Sequence, residues 1–181
     1  MGEKRIIADK LRNDYEGLFN FNELYRLIVN WFKDKGYDRR EKYAHEKVTK
    51  TGKYVEIELQ PWKSMTDYVK SEIRVHIIAS DMRDAEVVID NTKQKLNEGK
   101  IHIVLDAFLV TDYEGKWEMR PVYYFLKTVF EKFAFSPQIS KYEGAVNEDV
   151  TDLHNQIKGY LNLYKYGPSQ TAPAGKPKDQ F

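Results

Sequence analysis

Between Ile101 and Val110 the chain alternates two kinds of face without a break: Ile101, Ile103, Leu105, Ala107 and Leu109 on one side, His102, Val104, Asp106, Phe108 and Val110 on the other. A period of two over ten residues is the mark of a β-strand with one face in a core. The same period governs Val55, Ile57 and Leu59, and again Ile73, Val75, Ile77 and Ala79. A chain that repeats this pattern must build a sheet and must bury one side of it.

Turn residues divide the pattern into consecutive strands. Thr51-Gly52 predicts a hairpin joining the segment from Tyr43 to Lys50 with the strand that Pro61 ends. Ser80-Asp81 reads as a turn, followed by a strand from Val87 and Ile89 toward Leu96. Asn97-Glu98-Gly99 then reads as a hairpin loop in which glycine supplies a positive φ. Asp112-Tyr113-Glu114-Gly115 closes the sheet region.

Helical periodicity flanks the sheet. Leu24, Leu27, Ile28 and Trp31 share a face behind Asn20 or Asn22 as cap, and Gly36 is placed to end that helix. Pro121 precedes the stripe Val122, Phe125, Leu126, Val129 and Phe133, a second helix ended by Ser136-Pro137. A third begins near Asn147 and carries Val150, Leu153, Ile157, Leu161 and Tyr164 on one side. The order predicts an α+β domain: an antiparallel meander of about four to six strands, packed with an N-terminal helix and two C-terminal helices.

Residues 1–18 fit an N-terminal arm or one short helix, residues 19–167 the domain, and residues 168–181, rich in proline and lysine, a disordered tail. With 181 residues, one core is the expectation. The 13 Tyr, 9 Phe and 3 Trp argue against a chain that stays unfolded. Zero cysteines remove disulfides, thiolate metal sites and cysteine nucleophiles. The charged N-terminus and the lack of a long apolar run predict no signal peptide, no membrane span and a cytoplasmic location.

Glycine-rich phosphate loops and the common hydrolase and metalloprotease signatures are absent. Four histidines, His45, His76, His102 and His154, lie too far apart in sequence to form a local metal site, and neither a metal nor a cofactor is expected. His76, His102 and Asp106 are the weak catalytic candidates. They share the polar side of their strands, where an imidazole oriented by a carboxylate serves as a general base. Glu56 and Glu58, about two strand rises apart, form a carboxylate pair that any amphipathic strand also shows.

A net charge of +1 leaves no uniform field, which disfavours nucleic acid as a partner. The segment from Lys33 to Lys53 is locally basic, with eight Lys and Arg against four Asp and Glu, and includes Arg39 and Arg40 among tyrosines. The second face of the sheet, with Tyr54, Val104 and Phe108, is more apolar than a freely solvated face. These features predict a non-enzymatic binding or assembly module acting on a protein partner or a second copy. One alternative is a helix-grip-like container, or an enzyme built on the same container, that takes a small apolar or lipid ligand, with Tyr123 and Tyr124 among its polar groups. The other is weak nucleic-acid binding through the basic segment.

Overall fold

The computed structural model describes residues 4–89, 92–111 and 136–166. Its elements are β1 (Lys4–Phe19), α1 (Phe21–Asp34), β2 (Glu41–Val48), β3 (Lys53–Leu59), β4 (Trp62–Ser64), β5 (Val69–Ile89), β6 (Thr92–Thr111) and α2 (Ser136–Tyr166). The strands form one antiparallel sheet in the order β1-β6-β5-β3-β2, with β4 paired to the start of β5. This is the α+β architecture with an antiparallel sheet that the alternation demands. Two helices lie among the described residues. The helix expected behind Pro121, with Tyr123 and Tyr124, lies outside them, as does the expected tail.

Local chemistry sets the ends of α1. The Asn20 side chain accepts from the Glu23 amide at 3.2 Å, closing the N-terminus. At the other end Gly36 takes φ 74°, and the amides of Gly36 and Tyr37 donate to the carbonyls of Lys33 and Phe32. That paired arrangement is a Schellman cap, and it turns the chain sharply toward β2.

The inner face of the sheet carries Ile73, Val75, Ile77, Ile103 and Leu105, all at most 1% exposed. Leu24, Ile28, Trp31 and Phe32 of α1 and Val150, Leu153 and Ile157 of α2 close over it as one core. Both helices therefore lie on the same side.

Four expectations are corrected. Residues 4–19 form the edge strand β1 beside β6, and no short helix is found there. Its alternation is broken where the register shifts between Ile6 and Leu11 and Lys10 adopts φ 53°, so the period of two is hidden in the sequence.

Ser80-Asp81 is a bulge inside a continuous β5. The pairing passes from Ser80 with Lys100 to Arg83 with Glu98, and Asp81 has φ 54°. Asn97-Glu98-Gly99 likewise lies within β6. Gly99 serves close approach, since a Cβ there would stand 2.9 Å from both Met82 Cα and the Ser80 carbonyl oxygen. The strands join beyond the Ile89–Thr92 pair.

Finally, α2 begins at Ser136 and not near Asn147. Pro137 thus lies inside α2, so the chain continues as helix beyond it. Full burial begins only at Val146, and the earlier Ile139 and Tyr142 are only partly buried against the core, so periodicity alone places the start too late.

Candidate functional site

The outer face of the sheet is crossed by polar contacts between strands. Glu56 of β3 accepts from Tyr43 Oη at 2.7 Å, from Tyr54 Oη at 2.9 Å and from His76 Nε2 at 2.9 Å. These three donors, Tyr43 foremost, pull the Glu56 carboxyl down to about 2. The same bond pushes the Tyr43 phenol up to about 12. A carboxylate so stabilised as the anion is a poor general base. Glu58 takes a different partner, Lys42 Nζ at 2.9 Å.

Strands β5 and β6 are neighbours, so His76, His102 and Asp106 do share a face, yet each is engaged separately. His76 is held by Glu56 of β3, and His102 pairs with Asp14 of β1. Asp106, 2% exposed, takes Arg74 Nε at 2.9 Å and Nη2 at 2.7 Å on one oxygen, and the Lys10 amide at 2.9 Å on the other. No imidazole reaches it.

Val104 stands opposite His76 in register. Phe108 lies under Lys4 Nζ, 3.8 Å from the ring centroid, and beside Arg74. Lys4 and Arg74 thus cover the Phe108 ring with their own side chains, while Ile6, paired with Phe108, and Val88 stay exposed on this face. Among the described residues no cluster of three or more His, Asp and Glu side chains is arranged to hold a metal ion. No described helix is long and apolar enough to cross a membrane.

A different arrangement occupies the corner where α1 meets β3. A recess of about 210 Å³ is walled by Val29, Phe32, Tyr37, Leu59 and Pro61 and rimmed by Lys33, Arg39 and Arg40. The Schellman cap brings Tyr37 under α1. Backbone bonds from Asp38 to Trp62 and from Gln60 to Arg40, both 2.8 Å, pin the following loop to the sheet. Arg39 lies 3.9 Å from Glu41, which also accepts from Tyr25 at 3.0 Å. Lys33 and Arg40 make no ion pair among the described residues.

Below the recess a polar junction ties three elements together. Tyr37 Oη donates to Asp149 at 3.1 Å and meets Ser71 Oγ at 3.0 Å. Trp31 Nε1 donates to Asp152 at 2.8 Å, and Lys35 lies 3.2 Å from Asp149. Burial raises the Tyr37 phenol well above its ordinary range, so it stays protonated and donating.

Sequence reasoning selects Arg39 and Arg40 by charge but misses the recess between them, Val29 and Leu59. It also misses the junction. The available signal is that buried Trp and Tyr tips need polar partners, and that Asp149 and Asp152, three apart on a helix, can offer two from one side.

No family model matches the chain, and no curated protein or solved structure matches it.

Proposed function

We propose that this chain is a non-catalytic binding module that engages a partner protein, and that the anchor point is the basic corner recess and not the second face of the sheet. The observation that carries this reading is the pairing of an apolar recess with cations that make no ion pair among the described residues. Lys33 and Arg40 stand unpaired among the described residues at the mouth of a recess walled by Phe32, Tyr37 and Leu59.

The outer face supports the same choice by contrast. A depression of about 500 Å³ around His102 has Glu16 and Lys100 within 3.7 Å of each other and Asp14 bound to His102, so its charges are already satisfied. Size bears on the kind of occupant at the corner. Sites for whole small molecules usually enclose roughly 300–1,000 Å³, whereas 210 Å³ suits a single anchoring side chain. Such anchors, surrounded by a charged rim, dominate protein interfaces.

The test places a photo-crosslinking amino acid at position 40, with Lys33 and Arg39 left in place to hold the partner, or at position 104, in lysate of the source cells. The reading expects a discrete crosslinked protein from position 40, competed by excess unlabelled chain and lost when Val29→Trp fills the recess. Crosslinks from position 104 alone would shift the interface to the sheet face, and a doubled chain mass at position 104 would identify a second copy as the partner.

A further inference from the structure

Resting on that binding reading, we propose that the recess receives an aromatic or branched apolar side chain from a partner segment in which acidic residues flank the anchor. The walls select the anchor. Phe32 and Tyr37 meet edge to face at 5.5 Å between ring centroids, and the small parts of them left exposed join Val29, Leu59 and Pro61 in an apolar wall.

The rim selects the flanks. Arg39 and Arg40 project from one pinned loop and Lys33 from the last turn of α1, so cations border the mouth from two elements. Guanidinium groups match carboxylates in a two-pronged geometry, and a loop already fixed by backbone bonds loses little freedom on binding.

A nucleic acid is the competing polyanion, and the charge pattern disfavours it. Asp34, Asp38 and Glu41 are interspersed with Lys33, Lys35, Arg39 and Arg40 along this stretch, so a continuous phosphate backbone would meet carboxylates among the cations. A short acidic segment needs only the mouth of the recess.

Selection from a random 12-residue display library on the intact chain tests this directly. Three variants serve as controls, Val29→Trp, Arg39→Glu with Arg40→Glu, and Lys33→Glu, each checked for cooperative urea unfolding. The exposed charge reversals keep the test usable should the recess-filling variant unfold.

The proposal expects enriched sequences with one aromatic or branched residue between acidic residues. A synthetic copy should bind by fluorescence anisotropy, weaken as salt rises, and lose about tenfold or more in affinity on the charge-reversed variants. Enrichment without acidic residues, or equal binding to wild type and variants, would overturn it. Displacement of the peptide by oligouridylate, with the oligonucleotide losing affinity on the same variants, would assign the corner to nucleic acid. Failure here with the position 40 crosslink intact overturns the ligand class alone; failure of both overturns the binding reading too.

Discussion

Arg74 grips Asp106 through two nitrogens on one carboxylate oxygen, Nε at 2.9 Å and Nη2 at 2.7 Å. The second oxygen receives the Lys10 amide, at the point where β1 bulges with φ 53°. A residue that sequence pattern offers as the orienter of a histidine is a brace across three strands. It gives the β1 bulge the one acceptor that a ladder partner would otherwise supply.

Removing that brace should therefore cost stability. Asp106 is 2% exposed, and Asp106→Ala strands both the guanidinium and a backbone amide. The expected loss is about 2–4 kcal/mol, less than a fully buried pair because Arg74 reaches solvent. Asp106→Asn should lose less, since its amide oxygen still accepts from Lys10. Urea unfolding of the two variants gives the comparison; equal stability of Asp106→Ala and wild type would remove the brace.

The Glu56 node predicts a pH dependence. Its folded value, about 2, lies below the ordinary 4.5, so the stabilisation is complete above pH 4.5 and fades as pH falls toward 2. Tyr43 is raised from 10 to about 12, so its share is complete below pH 10 and fades as pH rises toward 12. Glu56→Gln should flatten the acid limb of a stability–pH curve and Tyr43→Phe the alkaline limb. Unaltered limbs in both variants would show that the contacts carry no net energy.

Two glycines should respond oppositely to alanine. At Gly99 a methyl would meet backbone atoms of Ser80 and Met82 at 2.9 Å, and relief requires moving the bulge of β5. A loss of about 1–3 kcal/mol is expected. Gly144 lies in α2 with nothing within 4 Å of a new Cβ, so Gly144→Ala should gain about 0.5–1 kcal/mol. Thermal unfolding reports both, and a stabilised Gly99→Ala would contradict the close approach.

The junction beneath the recess makes its own prediction. Tyr37→Phe removes the hydroxyl between Asp149 and Ser71, leaving the fully buried Ser71 without that partner. The cost should be about 1–2 kcal/mol. The ring stays, so recess shape and ligand affinity should hold. A variant of normal stability that nevertheless loses binding would place the Tyr37 hydroxyl in the recognition surface.

Sequence pattern reveals β6 well because a central strand needs an unbroken inner face from Ile101 to Leu109. It conceals β1, because an edge strand tolerates bulges and the shift between Ile6 and Leu11 scrambles inside and outside. Ser80-Asp81 has the composition of a turn, and only the opposing Gly99 distinguishes a bulge from one. Pro137 fits a helix stop and a helix start equally well on local grounds. At the corner, charge reveals Arg39 and Arg40, but the recess needs Val29, Leu59 and Pro61 from separate elements. The contact of Tyr37 with Asp149 spans 112 positions that no local pattern links.

The central claim is that recognition occurs at the corner and not on the sheet face. The most direct measurement is the dissociation constant of the protein recovered by crosslinking at position 40, compared between Val29→Trp and Val104→Thr. The account predicts a loss of about tenfold or more, at least 1.4 kcal/mol, for Val29→Trp and no change for Val104→Thr. Unchanged affinity in Val29→Trp with a loss in Val104→Thr would contradict it and return the interface to the second face of the sheet.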